Sequence, residues 1–115
     1  FNAHMALVAE GERIVAVEPA FDIYLGQAKL AGADVDLVPM RLRKTDEGVQ
    51  EWFLDMAELE AAITPETRML LLNSPHNPTG KVLTPEELRA IGDIVLKYPR
   101  LVVVCDDVYQ HLCFD

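Results

Sequence analysis

Apolar and polar positions follow two different rhythms along this chain. Residues 13–17, 35–38, 69–72 and 101–105 are short, mostly apolar runs bounded by glycine, proline or polar residues. Runs of that length predict strands, and their near-continuous apolar character predicts a sheet covered on both faces. Between them, apolar residues recur at helical spacing. Residues 1–10 read as the end of a helix stopped by Gly11, and residues 20–31 as a helix with Tyr24, Leu25, Ala28 and Ala31 on one face and Gly32 at its end. Asp55 and Glu58 fit the two ends of a capping box ahead of the stripe Met56, Leu59 and Ile63, and Pro65 closes that helix. Thr84-Pro85-Glu86-Glu87 supplies a cap, a proline at the first helical position and a glutamate at the third. Leu88, Ile91, Ile94, Val95 and Tyr98 continue that helix until Pro99 ends it. Residues 39–54 fit neither rhythm and are expected to be a long charged connection, anchored on the core by Trp52 and Phe53, with its acidic residues solvated.

Strands alternating with helices predict an α/β fold: three αβα layers around a mostly parallel sheet with crossover helices. Right-handed crossovers bring the strand carboxyl ends to one edge. That edge collects Phe21, Asn73, Asn77, Asp106 and Tyr109.

Composition narrows the function classes. The chain has 115 residues, half of them hydrophobic, and a net charge of −9. With no basic patch to neutralise phosphates, the composition argues against nucleic acid as a partner. No apolar run approaches the length that crosses a bilayer, so no membrane partner is expected either. The two cysteines, Cys105 on a predicted buried strand and Cys113, form no CxxC pair, which points to a reduced, intracellular setting. Phe1 is not an initiator methionine and a helical pattern is already running there, so the chain is expected to be an internal piece of a longer protein.

The stretch Asn73-Ser74-Pro75-His76-Asn77-Pro78-Thr79-Gly80 leaves the third strand as a turn rich in proline, asparagine and glycine. Proline fixes φ and holds cis peptides in tight turns, and glycine admits angles closed to other residues. Such a turn keeps amide side chains still at the carboxyl end of a strand, where open parallel sheets bind ligands. Cys105-Asp106-Asp107-Val108-Tyr109 leaves the fourth strand in the same way.

Three ligand classes suit that edge. A dinucleotide needs a glycine-rich first turn, and the chain contains no GxG. A nucleoside triphosphate with Mg²⁺ needs a phosphate loop, but Gly80-Lys81 is followed by Val82 and the first glycine position is Pro75. No metal ligand is assigned. Pyridoxal phosphate needs a carboxylate on its pyridine nitrogen, donors to its phenolic oxygen and an aromatic face. An Asp, a Tyr, an Asn and a Phe at strand ends supply that set.

Ser74-Pro75-His76-Asn77-Pro78-Thr79-Gly80-Lys81, a helix, a strand and then Asp106-Asp107-Val108-Tyr109 resemble the large domain of aspartate-aminotransferase-like enzymes, the fold-type I, pyridoxal-phosphate-dependent class I/II aminotransferases. The similarity runs over the whole chain, residues 1–115, as the central part of that cofactor-binding domain. It implies that Asp106 pairs with the pyridine nitrogen, that Asn77 and Tyr109 hydrogen-bond the phenolic oxygen, that Asn77 also holds the substrate carboxylate, and that Phe21 stacks on the ring. Asp107 stands where the family usually has Glu. Glu18-Pro19-Ala20-Phe21-Asp22-Ile23-Tyr24, Trp52-Phe53-Leu54-Asp55 and Asp107-Val108-Tyr109-Gln110 further resemble kynurenine aminotransferases, a group that includes glutamine transaminase and cysteine-conjugate β-lyase activities. Amino-acid donors (kynurenine, glutamine, aromatic or sulfur-containing), 2-oxo acid acceptors, a homodimer and a cytoplasmic or mitochondrial location are implied for the whole protein. A carbon–sulfur lyase, or a sensor domain of a transcriptional regulator, is the alternative on the same fold.

The lysine that would bind the cofactor covalently is not expected among Lys29, Lys44, Lys81 and Lys97, because none follows a strand in a Ser-x-x-Lys setting. Lys81 is expected to be solvated, and His76 and His111 to be turn and surface residues. The 115 residues alone are therefore expected to be inactive as a transaminase.

Overall fold

The computed structural model describes residues 1–113. Helix α1 (Asn2–Leu7) leads into strand β1 (Arg13–Glu18), followed by α2 (Ile23–Leu30), β2 (Asp34–Lys44), β3 (Gln50–Leu54), α3 (Met56–Ala62), β4 (Thr67–Asn73), α4 (Pro85–Val95) and β5 (Val102–Asp106). The strands form one five-stranded sheet in the order β3-β2-β1-β4-β5. Strands β2, β1, β4 and β5 are parallel, and β3 returns antiparallel against β2.

Successive strand residues point to opposite faces, and both faces are covered. Val15, Val17, Leu70 and Leu72 share one core with Leu59 and Ile63 from α3 and its end and Ile91 and Ile94 of α4. Ile14, Ala16, Met69 and Leu71 share the other with Val8 and with Ala28 of α2. The three-layer α/β architecture is thus the expected one. A strand buried on both faces has no polar side to display, which is why β1 and β4 read as unbroken apolar runs.

The expected connection over residues 39–54 is instead a β-hairpin. β2 continues to Lys44 and β3 pairs back on it, with Met40 opposite Leu54, Leu42 opposite Trp52 and Arg43 opposite Glu51. Its turn is closed by the Gly48 amide donating to the Thr45 carbonyl at 2.8 Å and the Thr45 amide donating to the Val49 carbonyl at 2.8 Å. The inner pair Met40 and Leu54 is buried, but the arm beyond it projects past the core with residues 41–44 exposed, so the pattern there does not read as a strand. Trp52 packs on the core as expected, whereas Phe53 is covered by the Arg43 guanidinium, 4.4 Å from its ring centre.

Helix ends also refine the sequence picture. The Thr84–Glu87 capping box is complete. At α3, Asp55 Oδ1 accepts from the Ala57 and Glu58 amides at 2.8 and 3.3 Å, but the Glu58 carboxylate turns away to Arg41 at 2.7 Å. Only half of that box forms. Helix α2 begins at Ile23, which leaves Phe21 in the loop before it. Cys105 is exposed rather than buried, because β5 is the edge of the sheet among the described residues.

Candidate functional site

Parallel pairing places the ends of β1, β4 and β5 along one edge of the sheet, and the site is built from the residues just beyond those ends. Asn73, the last residue of β4, lies in register with Asp106, the last residue of β5. Its buried side chain donates through Nδ2 to the Asp106 carbonyl at 2.8 Å and accepts through Oδ1 from the Asn77 amide at 2.6 Å. One amide side chain thus joins the strand end that carries the carboxylate to the turn that carries the second asparagine.

That turn is fixed from several directions. Its Ser74–Pro75 and Asn77–Pro78 peptides are cis. The His76 amide donates to the Lys81 carbonyl at 2.8 Å and the Gly80 amide to the His76 carbonyl at 2.7 Å. Ser74 Oγ accepts from the Leu83 amide at 3.0 Å. His76 is in the turn as expected but is buried, with Nδ1 and Thr79 Oγ1 2.9 Å apart, and burial lowers its pKa. His111 is exposed.

Asp106 faces back across the edge. Its Oδ2 accepts from the Tyr24 hydroxyl at 2.6 Å, and its Oδ1 takes a longer contact of 3.4 Å from the Val108 amide. Burial, and then the hydrogen bond and charge of Asp106, push the Tyr24 phenol well above its ordinary pKa. Tyr24 also meets Phe21 edge-on, with ring centres 5.7 Å apart and planes at 86°. Phe21, Tyr24, Cys105, Asp106 and Asp107 line a cleft of about 390 Å³. Asn77 and Tyr109 line a second cleft of about 310 Å³ with His76 and Val82.

The four expected cofactor residues therefore fall into two pairs, Phe21 with Asp106 and Asn77 with Tyr109. The pairs are connected by the Asn73 bridge and by the turn that separates Asp106 from Tyr109, in which the Gln110 amide donates to the Asp107 carbonyl at 2.9 Å. Neither the Asn77 side chain nor the Tyr109 hydroxyl makes a hydrogen bond to another described residue, so both remain available to a ligand. Among the described residues no group of His, Cys, Asp and Glu is arranged to hold a metal, and no helix is long and apolar enough to cross a membrane.

Three side chains differ from the sequence expectation. Lys81 is not solvated: its side chain is 10% exposed and its Nζ lies 2.9 Å from Glu87 Oε1. Tyr24 lies on the helix face assigned to it and packs against the core, but its hydroxyl belongs to the site. His4, to which the sequence assigns no role, is 3% exposed on α1 and lines the Asp106 cleft, and neither of its ring nitrogens has a hydrogen-bond partner. Its only signal in the sequence is a polar residue amid the apolar positions of a short helix.

The sequence matches the family of class I and II aminotransferases over residues 1–115. It is 36% identical to the kynurenine–oxoglutarate transaminase of Dictyostelium discoideum, covering 100% of this chain and 28% of that protein. The solved structure of N-succinyldiaminopimelate aminotransferase from Mycobacterium tuberculosis superposes with a TM-score of 0.86 at 42% identity, covering 98% of this chain and 28% of that one. Cystalysin from Treponema denticola, whose structure contains a pyridoxal 5′-phosphate cofactor, superposes with a TM-score of 0.80 at 27% identity, over 93% of this chain and 26% of that one. The chain spans little more than a quarter of the length of these relatives.

Proposed function

Because the chain belongs to the class I and II aminotransferase family, we propose that it forms the central part of the cofactor-binding large domain of a pyridoxal-phosphate-dependent aminotransferase. The donor set at the sheet edge fits that cofactor: a carboxylate at a strand end, two free hydrogen-bonding side chains on the adjoining turns, and a half-open aromatic ring, Phe21, at 40% exposure. Asp106 would hold the ring nitrogen, Asn77 and Tyr109 the phenolic oxygen, and Phe21 one face of the ring, with Asn77 also reaching the substrate carboxylate. When bound, the cofactor supplies an electron sink for the substrate carbon that loses its proton.

The single observation that carries this reading is the Asn73 side chain, which ties the Asp106 carbonyl to the Asn77 amide. A carboxylate and an amide meant for two different positions on one ring must be held at a constant separation, and a buried two-ended hydrogen bond does that.

The substrates proposed for the whole protein are an amino-acid donor of the kynurenine, glutamine, aromatic or sulfur-containing kind and a 2-oxo acid acceptor. The Dictyostelium discoideum relative supports that choice. The whole protein is proposed to be an intracellular homodimer. Covalent attachment requires a suitably placed lysine; none of Lys29, Lys44, Lys81 and Lys97 follows a strand in a Ser-x-x-Lys setting, and Lys81, the one in the site turn, is paired with Glu87. The isolated chain is therefore proposed to lack transaminase activity.

The test is an Asp106→Ala change in the full-length protein, with visible spectroscopy and turnover of donor and acceptor as the readouts. Turnover is expected to vanish while some cofactor stays bound. Unchanged turnover would refute the assignment, and release of thiol and ammonia instead of amine transfer would replace it with lyase chemistry at the same site.

A further inference from the structure

Among the residues at this edge, Tyr24 makes the shortest side-chain contact to Asp106, and it comes from an element distant in sequence. It sits in the first turn of α2, and its hydroxyl donates to Asp106 Oδ2 at 2.6 Å across 82 residues of chain. Without it, the only other donor to that carboxylate among the described residues is the Val108 amide, at 3.4 Å from Oδ1. A contact that long restrains the carboxylate plane weakly. The Tyr24 ring is partly buried, packed against the core that holds Ile14, Ala28 and Leu71, which restrains it. Its edge also abuts Phe21 at 5.7 Å. Tyr24 is thus attached to both members of the pair that lines the larger cleft.

We propose that Tyr24 is a positioning residue that sets the orientation of the Asp106 carboxylate and the pitch of the Phe21 ring at once. The inference rests on the reading of Asp106 as the partner of the cofactor's ring nitrogen. Tyr24 itself need not touch the cofactor. A hydrogen bond to an ionised group is directional and stronger than a neutral one, so it selects one carboxylate rotamer. Tyr24→Phe removes that selection but keeps the ring against Phe21. Tyr24→Leu removes both.

The experiment uses full-length protein loaded with pyridoxal phosphate and compares Tyr24→Phe, Tyr24→Leu and Asp106→Asn with the unaltered protein. Tyr24→Phe is expected to move the pH midpoint of the bound cofactor's visible absorption by about one unit and to weaken cofactor affinity about tenfold, the effect of one hydrogen bond to a charged group. The fall in turnover should appear in kcat, with KM for the amino donor little changed. Tyr24→Leu should weaken affinity further and broaden the cofactor's induced circular dichroism, since the stacking ring is then loose.

A second readout needs no cofactor. In the apo-protein, ultraviolet titration should show one phenol, absent in Tyr24→Phe, that titrates at high pH and moves down in Asp106→Asn. It should stop above the ordinary tyrosine value because burial is the larger cause. If Tyr24→Phe leaves the cofactor midpoint where it was while Asp106→Asn moves it, the positioning role is overturned and the Asp106 reading survives. If Asp106→Asn alters neither spectrum nor turnover, the Asp106 reading falls and the role falls with it. A phenol that titrates identically in the Asp106→Asn protein would also overturn the proposal.

Discussion

Asn73 and Asp106 end adjacent parallel strands in register, and the amide of the first donates to the backbone carbonyl of the second at 2.8 Å. Because Asn73 is 7% exposed and also accepts from Asn77, water cannot replace either bond cheaply. Asn73→Leu is expected to cost about 2–4 kcal/mol, the sum of a lost buried donor and a lost buried acceptor. Urea unfolding measures that loss. Cofactor affinity should fall more in Asn73→Leu than in a surface change of equal stability cost, because the turn carrying Asn77 is released.

Lys81 illustrates a lysine whose location suggests chemistry and whose pairing forbids it. Glu87 uses one carboxylate oxygen to accept from the Thr84 amide at 2.8 Å and the other to hold Lys81 at 2.9 Å, with both side chains largely covered. Lys81→Met should therefore destabilise the protein by about 1–3 kcal/mol, because a largely covered carboxylate is left without its counter-ion. Borohydride reduction of the cofactor-loaded full-length protein, with peptide mapping of the product, should place the label on another lysine. A label on Lys81 would reverse this assignment.

The four parallel strands were legible because buried parallel strands leave a strong signal, and Asn73 and Asp106, read as the first residues past two of them, prove to be their last residues. The complete cap at Thr84 was legible for the same local reason. The features that escaped depended on contacts distant in sequence or on exposure. The Tyr24 stripe reads as core, and so it is, apart from one hydroxyl that reaches a residue 82 positions away. The hairpin of β2 and β3 does carry an alternating stripe, Val38, Met40 and Leu42 facing Trp52 and Leu54, but its outer end is exposed and the charged residues between, such as Arg43 and Glu51 at 2.7 Å, make the stretch read as a solvated connection. The free oxygen of Glu87 that captures Lys81 cannot be seen in a capping box read as sequence.

Gly80 closes the site turn with φ of +72°, in the left-handed region that a side chain disfavours. A Cβ built there would meet nothing within 4 Å. Gly80→Ala should consequently cost only the backbone term, about 1–2 kcal/mol. Its thermal unfolding midpoint should fall accordingly. Since the Gly80 amide donates to the His76 carbonyl at 2.7 Å beside Asn77, cofactor affinity should fall with it, and Gly48→Ala in the distant hairpin, with φ of +82°, supplies the control that loses stability alone.

His4 should make stability depend on pH. Burial lowers its pKa, and both ring nitrogens are enclosed without a partner. The neutral ring is favoured when folded, so around and below the ordinary histidine value of about 6.5 the unfolded chain binds more protons than the folded one. Stability from this group is then fully present above that value and is lost as pH falls toward the lowered folded pKa. His76, also lowered by burial, acts in the same direction. The slope in that window is about 1.4 kcal/mol per pH unit for each histidine that differs by a full proton. His4→Leu should remove one such contribution and raise stability at neutral pH by about 1–3 kcal/mol, since a buried unsatisfied polar group is replaced by an apolar one. Urea unfolding from pH 5 to 8 checks both effects; an unchanged slope in His4→Leu would mean that His4 takes up its proton over the same pH range folded and unfolded, and would overturn this reading.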